Sequence, residues 1–485
     1  MIFSRKLWCL PESTDIILQS STLLSSSPAI RFVDDGQTDT ELPVEKALLL
    51  TSGDNIRQGW NWIVSKWSNR YKVGPMAISN SQMRGMISPK HFAVYFVTGI
   101  ATVLIGPALP LLSRSWHISD DQGGALFALQ FGGAITGSIL STYRPKTSYP
   151  LGCGCCAVAL AAIGWTPWML AHWLFFLDGM GLGMIINAGN NFVTQFTAAS
   201  GGSEAGALAK VHFAWGVGAV SCPWILQTVT RAFGPSVFFA TIGVAFGIFA
   251  WVLALSRPTA AAKPDKPRYA QPTCLSLGLQ IAFAVAFLLY TGTENAISGW
   301  LPSFAIRAYG ERVFSTSNGL VPSSSVGAIS FTLLWGAHLL GRACTPLAVS
   351  IFKEPRLFSA TIHSLVVSVL LLTFIPGRFN DQGVAVCVTA AACGLSLAAV
   401  YPLMMANMLR QAGGLRGMGW ILACGPVGGA LLPWLSGVAS TRLGGIRSAL
   451  YVPCIAVVLL LFSPPKLYPR QPAAKLSQFA GPWEA

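Results

Sequence analysis

Ionisable side chains are scarce in the long apolar part of this sequence, and those that occur there are candidates for chemistry. Asp178 and Glu294 are the acidic residues that fall inside long apolar runs, and Arg342 is the principal basic one. An ionisable group in a lipid-buried segment is costly unless it faces a cavity or a partner. A carboxyl group held there can bind and release a proton near neutral pH, as proton coupling requires. We therefore predict proton binding at Glu294 and at Asp178.

Each of these groups also has a structural interpretation, which the sequence leaves open. The polar TGTEN run that contains Glu294 could line a cavity, but the carboxylate could equally form a buried ion pair with Arg342. Asp178 could be a polar group near the outer end of its segment, hydrogen-bonded to His172 or His212. For Arg342 we favour the structural role, because its long stem can extend to the cytoplasmic interface.

Amide and aromatic side chains within the apolar runs are the candidates for binding a polar solute. Amides supply paired donors and acceptors, and aromatic rings supply a flat apolar face. Many of the 16 Trp and 27 Phe must instead pack in the core or anchor the chain at the membrane interface. The candidates are Gln130, Asn187, Asn190, Asn191, Trp215, Asn295, Trp300, Tyr401 and Asn407.

The elements that must position these groups are predicted to be membrane-spanning helices. The chain is 53% hydrophobic and 10% charged, whereas soluble domains carry about 25% charged residues. A span needs about 20 apolar residues. Twelve segments meet or approach this length, at 91–112, 122–142, 149–165, 168–195, 208–229, 236–256, 274–304, 323–350, 357–376, 382–409, 417–440 and 446–463, numbered here as segments 1 to 12.

Short patterns recur between the two halves of the chain, which a Pro-rich basic connector at 257–273 separates. Residues 127–137 read F-x-L-x-F-G-x4-G and residues 331–341 read F-x-L-x-W-G-x4-G. Residues 218–225 read G-x4-P-W-I and residues 428–435 read G-x4-P-W-L. The matches fall in segments 2 and 8 and in segments 5 and 11, which are equivalent in a six-plus-six arrangement. They predict an internal repeat of six helices.

Composition and charge also predict the organisation of the chain in the membrane. Basic residues concentrate before segment 1, in alternate gaps and after segment 12, so both termini are expected in the cytoplasm. A translation start at Met76, Met83 or Met86 is an alternative to a genuine tail. The predicted regions are a disordered N-terminal tail at 1–90, a bundle at 91–256, a cytoplasmic linker at 257–273, a second bundle at 274–463 and a cytoplasmic tail at 464–485.

Several other function classes are disfavoured. The net charge of +14 is spread singly between apolar runs and forms no stripe for nucleic acid. The CGCC run at 153–156 has no His or Cys partner at a zinc spacing, so we expect no metal. The GMGLG run at 179–183 follows no strand, so we expect no nucleotide and no other cofactor. No nucleophile, His and acid constellation predicts an enzyme.

Six runs of residues together resemble a known family. They are GPALPLLSRSWHISDDQGGALFALQFGGAITGS at 106–138, GLGMIINAGNN at 181–191, WGVGAV at 215–220, YTGTENAISGWLP at 290–302, WGAHLLGR at 335–342 and VYP at 400–402. They resemble the major facilitator superfamily and, within it, the fucose-permease-like sugar:proton symporters. The resemblance covers residues 91–463. It implies an all-α membrane fold of twelve transmembrane helices in two pseudo-symmetric six-helix bundles.

The sequence departs from the family pattern in the loop after segment 2 and in segments 4 and 1. Where the family usually has an Asp-Arg pair after segment 2, this chain has Ser141 and Thr142, followed by Arg144 and Lys146. The gating salt bridge of the family is therefore not expected here. Sugar symporters of the subgroup tend to carry a Glu in segment 4 and an Asp in segment 1, but this chain has Ile186 at the first position and no Asp at the second. Fucose is therefore not the expected substrate.

The resemblance and the acid inventory together predict proton-coupled import of a small polar solute, such as a sugar, by a monomer in the plasma membrane. Lipid, the solute and the proton are the expected partners. Two alternatives stay open. One is a proton-coupled exporter of amphipathic compounds, and the other is a membrane scaffold or sensor that has kept the fold but lost transport.

Overall fold

The computed structural model describes residues 88–199, 204–256, 275–309, 323–378, 383–412, 418–463 and 467, together with five short strands. The chain forms two compact units, Met1–Met83 and Arg84–Ala485. In the first, the described residues are strands β1 (Thr14–Ile17), β2 (Ala29–Asp34) and β3 (Thr40–Pro43), paired antiparallel in that order. The composition of the tail did not predict them. The rest of the tail prediction lies outside the described residues.

The described part of the second unit is built of helices apart from one small hairpin. The hairpin pairs β4 (Phe314–Thr316) with β5 (Gly319–Val321). A 3-10 helix at Ile446–Leu450 leads into the last α-helix. The α-helices are α1 Pro89–Val103, α2 Ile105–Trp116, α3 Asp120–Tyr143, α4 Pro145–Ile163, α5 Trp168–Ala199, α6 Glu204–Phe233, α7 Pro235–Leu255, α8 Leu277–Tyr309, α9 Ser323–Ile351, α10 Glu354–Phe374, α11 Val384–Ala398, α12 Val400–Ala412, α13 Gly419–Arg442 and α14 Tyr451–Leu460.

Each predicted segment coincides with one helix or with one interrupted helix. Segment 1 comprises α1 and α2, which bend by 48° at their junction, and segment 10 comprises α11 and α12. Among the described residues, seven helices are long and apolar enough to cross a membrane alone, or up to eight if the bent pair is one span. A multi-pass helical membrane protein is therefore confirmed. The count of twelve spans stays a prediction.

Both interruptions have the same local cause. Pro107 follows the break between α1 and α2, and Pro402 follows the break between α11 and α12. Proline has no N–H, and its ring clashes with the carbonyl four residues earlier. For Pro107 that carbonyl belongs to Val103, the last residue of α1, and for Pro402 it belongs to Ala398, the last residue of α11. The helix is interrupted at both places where such a hydrogen bond is lost, and at the first of them it also bends.

Helix packing repeats between the two halves. In the first half α1 packs on α6, α3 on α5 and α4 on α7, and in the second half α8 packs on α13, α9 on α11 and α10 on α14. In each half, these contacts pair the first helix of the predicted six-helix repeat with the fifth, the second with the fourth and the third with the sixth. The halves meet where α3 packs on α13, α2 on α8 and α6 on α9.

Glycines of the repeated patterns make this packing possible. A Cβ on Gly218 of α6 would lie 1.9 Å from the carbonyl oxygen of Phe96, and one on Gly428 of α13 would lie 2.0 Å from that of Leu288. Phe96 and Leu288 belong to α1 and α8, the equivalent partners. Without a Cβ, the two helix backbones can touch, which stabilises helix pairs in lipid.

Candidate functional site

Glu294 lies where the second half of the chain faces the first. Its Oε1 atom is 3.5 Å from Nε2 of His338 and 3.9 Å from Nη2 of Arg342, and its side chain is 14% exposed. His338 and Arg342 are one turn apart on α9, so both can face the same carboxylate of α8. The distance between Glu294 and Arg342 is short enough for the structural ion pair that the sequence left open. The same arrangement brings a carboxylate, an imidazole and a guanidinium group together.

Two tryptophans lie next to this cluster and join the two halves. The ring of Trp335, on α9, is in edge contact with His338 at 5.4 Å between centroids and with Trp215 of α6 at the same distance. The Nε1 atom of Trp215 donates a hydrogen bond of 3.4 Å to Oγ1 of Thr102 in α1. The predicted solute contact Trp215 is therefore held between the two halves.

Three polar atoms at this junction have no hydrogen-bond partner within the part of the chain that the structure describes. They are Nε1 of Trp335, Nε of Arg342 and Nε2 of His338, and all three are buried. The first two are N–H donors. A buried donor without an acceptor costs about 1–3 kcal/mol. Two such donors beside Glu294 are arranged as a site that a polar molecule would complete. We call Trp215, Glu294, Trp335, His338 and Arg342 the central cluster.

Asp178 lies in a different environment, within the first half. It is 0% exposed. Its Oδ2 atom accepts a hydrogen bond of 3.0 Å from Nε2 of Gln130, which also donates to the carbonyl of Ala101 at 3.3 Å. Its Oδ1 atom has no hydrogen-bond partner among the described residues. Two predicted residues, Gln130 and Asp178, are thus partners of one another.

The alternative partners proposed for Asp178 are engaged elsewhere. His172 contacts the carbonyl of Trp168 through Nδ1 at 3.0 Å. The Nε2 atom of His212 is 3.1 Å from Oδ1 of Asn190. Neither histidine therefore supplies the hydrogen bond that a structural interpretation of Asp178 proposed, and Gln130 takes that place.

Asn190 is the centre of a second polar group in the first half. Its Oδ1 atom accepts a hydrogen bond of 2.6 Å from the hydroxyl of Tyr95, in addition to its contact with His212. The three residues lie on α1, α5 and α6. Because Tyr95 is fully buried, this group holds the three helices together in a fixed register.

The other predicted solute contacts are distributed over the molecule. Nδ2 of Asn187 donates to Oγ of Ser141 at 2.5 Å, next to the atypical loop after α3, and Asn191 is exposed. Nδ2 of Asn295 donates to the carbonyl of Thr291 at 2.8 Å, within its own helix. None of these three side chains is joined to the central cluster by a described hydrogen bond.

Three further candidates form contacts between helices. Nε1 of Trp300, which is fully buried, donates to the carbonyl of Pro433 at 2.8 Å, and so ties α8 to α13. Nδ2 of Asn407 donates to the carbonyl of Leu467 at 2.8 Å. The ring of Tyr401 is in edge contact with Phe287 at 5.4 Å between centroids. These contacts account for the polar atoms of Trp300 and Asn407 within the fold.

The sequence analysis did not select two members of the central cluster, Trp335 and His338, or the neighbouring Thr102, and the first two carried a signal. Trp335, His338 and Arg342 are spaced three and four residues apart in the WGAHLLGR run, which places them on one face of a helix. Only Arg342 was selected. Thr102 carried no comparable signal, because a threonine hydroxyl in an apolar helix usually bonds to its own backbone, as this one also does to the carbonyl of Thr98 at 2.7 Å.

A second set of polar contacts joins the two halves at the opposite end of α3 from Ser141. The carboxylate of Asp120 receives hydrogen bonds from Nη1 and Nη2 of Arg307 at 2.8 and 2.7 Å, and from Oγ of Ser440 at 2.5 Å. Beside it, the hydroxyl of Thr441 donates to Oδ1 of Asp121 at 3.1 Å. We call these five residues the outer lock, because the predicted topology places them at the outer membrane face.

Comparisons with known proteins agree with this architecture. A model of the Major Facilitator Superfamily matches residues 92–417. No curated protein matches the sequence significantly.

Three similar solved structures extend over nearly their whole length. The fucose:proton symporter FucP of E. coli is 17% identical, with 77% of this chain and 97% of that chain covered and a TM-score of 0.50. The nucleoside transporter NupG is 11% identical, with 78% and 100% covered and a TM-score of 0.60. A D-xylose-proton symporter is 12% identical, with 77% and 95% covered and a TM-score of 0.58. At these identities the likeness shows the fold alone.

Proposed function

Since the chain belongs to the Major Facilitator Superfamily, we propose that it is a secondary active transporter that moves a small polar solute, a sugar or a similar compound, by alternating access. In this proposal residues 91–256 and 274–463 form two six-helix bundles that rock about a site between them. Residues 257–273 link the bundles in the cytoplasm, where the tails also lie. The protein works as a monomer in the plasma membrane.

The observation that carries the proposal is the central cluster. It combines ionisable groups, two aromatic rings in edge contact and two unpartnered N–H donors at the junction of α1, α6, α8 and α9, where the halves must separate for a solute to pass. A scaffold protein has no reason to bury unpartnered donors at that junction, whereas a solute with hydroxyl or carboxyl oxygens would accept from them. Ring faces beside the donors suit the apolar face of a small organic molecule.

We propose that Glu294 couples the solute to a proton. While the carboxylate is charged, it holds Arg342 and His338; when it binds a proton, both groups are released toward the solute. The alternative, in which Glu294 is a permanent ion-pair partner, predicts no role in proton movement. The distances around Glu294 are compatible with proton coupling and with a permanent ion pair, so a measurement of proton movement must distinguish the two roles.

Asp178 is the second candidate for proton binding. Its carboxyl group is fully buried, and no cationic side chain pairs with it within the described part of the chain. Burying an unpaired charge is costly, and a bound proton removes that charge. Because Asp178 lies on α5, away from the Trp215–Trp335 contact, we assign it to proton binding and not to solute binding.

Proton movement driven by solute in liposomes tests the proposal. Purified protein would be reconstituted with a pH-sensitive dye inside, and sugars and organic acids would be added one at a time. We expect a transported compound to acidify the lumen. Glu294→Gln is expected to abolish this acidification, and Asp178→Asn to reduce it about ten-fold or more, since each removes a proton-binding carboxyl.

The matched control is Glu354→Gln, at the start of α10. Glu354 pairs with Arg410 and lies outside the central cluster, so its loss should leave coupled uptake unchanged. Coupled acidification that persists in both carboxyl variants would show that the coupling assignment is wrong. Absence of flux for every solute would favour the scaffold, and outward movement of amphipathic compounds would favour the exporter.

A further inference from the structure

A cavity of about 500 Å³ opens among α2, α6, α8 and α9, away from the central cluster. Its walls come from the ends of α2, α6 and α8 and from the start of α9, all of which the predicted topology places at the outer face. Much of the lining is apolar, with Pro110, Leu226, Pro302 and Ile306 among the contributing residues. Such walls suit the hydrocarbon part of a small molecule.

Two arginines give this cavity its charge. Arg114 at the end of α2 and Arg231 at the end of α6 both line it, and the described residues of the lining include no acidic one. Within the described part of the chain, neither guanidinium has an ion-pair partner, whereas the nearby Arg307 is held by Asp120. Two unneutralised cations over a concave apolar surface concentrate a positive potential there.

Unpartnered hydroxyl groups lie in the same place. A second cavity of about 260 Å³ shares Pro110, Arg114 and Ile306 with the first, and Ser113 and Ser303 line it. The hydroxyl oxygens of both serines are buried without a hydrogen-bond partner among the described residues, and Ser303 is 1% exposed. Thr230, which lines the first cavity, has an unpartnered hydroxyl as well.

We propose that these adjoining cavities bind a small organic carboxylate from the outer side of the membrane. Arg114 and Arg231 hold the carboxylate group by charge-assisted hydrogen bonds, which guanidinium groups form well with planar anions. The unpartnered hydroxyls donate to the same group, and the Pro and Ile walls cover the apolar body. Among the described residues, the lining contains cations and donors but no carboxylate to receive a cationic ligand, so the site selects an anion.

The position of the site gives it a role in solute capture. On α9, Ala328 lines the cavity, and the same helix face continues inward through Thr332 and Trp335 to His338. Nε1 of Trp224 on α6 donates to Oγ1 of Thr332 at 2.8 Å, so this contact lies between the cavity and the central cluster. The capture role rests on the transport function proposed above, whereas the binding of the anion does not.

Equilibrium binding of benzoate tests the proposal directly. The full-length purified chain in nanodiscs of phosphatidylcholine would be titrated with radiolabelled benzoate at pH 7, with benzamide as a neutral competitor of the same shape. We expect saturable binding of benzoate, no competition by benzamide, and an affinity about ten-fold lower in Arg114→Gln and in Arg231→Gln, because each loses a charge-assisted contact.

Arg144→Gln is the matched control, since Arg144 is an exposed arginine at the far end of α3. Thermal unfolding of each variant shows whether it is folded. Three results would overturn the proposal: no saturable benzoate binding, equal binding of benzamide, or an equal loss in Arg144→Gln. Displacement of benzoate by phosphatidylglycerol in the nanodisc would identify a lipid headgroup as the occupant and would overturn it too. Binding retained without any transport would contradict the proposed function only.

Discussion

At the scale of single residues, the two membrane carboxyl groups differ in what surrounds them. Glu294 lies within 4 Å of two basic side chains at the boundary between the halves, whereas Asp178 has one neutral donor and lies within one half. The partners of Glu294 belong to its own half, but His338 also contacts Trp335, which meets Trp215 of the other half, so this environment is next to the surface where the halves separate. The environment of Asp178 stays constant unless the first half itself deforms. This difference is consistent with separate roles, in which Glu294 changes its contacts during transport and Asp178 binds a proton in constant surroundings.

The Gln130–Asp178 hydrogen bond leads to a prediction about stability. In Gln130→Ala, Oδ2 of Asp178 loses its described partner, which leaves both carboxylate oxygens without one, so we expect the variant to be about 1–3 kcal/mol less stable. The midpoint of thermal unfolding in detergent should fall by several degrees. Gln130→Ala combined with Asp178→Asn should recover part of the loss, because the buried group is then neutral.

Gln227→Ala provides the control for that measurement. Gln227 lines the outer cavity, and its side chain makes no described hydrogen bond. Its unfolding midpoint should match that of the parent protein. An unchanged midpoint in Gln130→Ala would mean that the hydrogen bond contributes nothing to stability.

At the scale of helices, the length of each apolar run was enough to predict where each helix lies in the sequence. In lipid, the backbone groups of a spanning segment must form hydrogen bonds within that segment, so a long apolar run becomes a helix whatever it packs against. The breaks in segments 1 and 10 were not accessible from the sequence, because Pro107 and Pro402 lie beside them but Pro223 and Pro302 lie inside helices that continue. The hydrogen bond between Gln130 and Asp178 was not accessible, although both residues were selected. It depends on the relative rotation of α3 and α5, which the packing of Gly133 and Gly137 against α5 sets.

The repeated glycines lead to a prediction at this scale. Gly218→Ala and Gly428→Ala should each destabilise the protein by about 1–3 kcal/mol, because the new methyl group forces apart helix backbones that are in contact. The two effects should be similar, since the glycines occupy equivalent positions. Unfolding midpoints measured in the same detergent would check this.

Gly154→Ala is the control for the glycine variants. It lies in α4, and a Cβ there would meet no heavy atom within 4 Å. Alanine favours a helix over glycine by about 1 kcal/mol, so this variant should be as stable as the parent or slightly more so. If all three variants behaved alike, close packing at the repeat glycines would not be what stabilises these helix pairs.

At the scale of the whole molecule, the halves are joined through different kinds of contact at different depths. The outer lock is polar, the central cluster is aromatic and ionisable, and between them Gly106 lies against the backbone of Ser298. The end of the α3, α8 and α13 contact that carries the outer lock is therefore closed in this structure by charge and hydrogen bonds. Opening it requires the Asp120–Arg307 pair to separate.

Hydrogen–deuterium exchange would test the outer lock. Asp120→Asn removes the charge that binds Arg307 but keeps the shape of the side chain. We expect amides at the start of α3 and the end of α13 to exchange about three- to ten-fold faster, because the partly exposed ion pair and its hydrogen bonds contribute modestly to closure. Glu354→Gln, which breaks a pair within the second half, should raise exchange only near α10 and α12. Uniform acceleration in both variants would indicate general loosening instead of an outer lock.

One contact at the other end of the chain sets a practical limit for protein engineering. The carbonyl of Leu467 accepts hydrogen bonds from Nδ2 of Asn407 at 2.8 Å and from Nε2 of Gln411 at 2.9 Å, and its side chain is fully buried. The last apolar segment ends earlier, so hydropathy alone would suggest truncating the chain or attaching a reporter directly after residue 463. That junction would remove the acceptor that two amides of α12 share. A fusion partner should therefore begin beyond Leu467, with several native residues kept as a spacer.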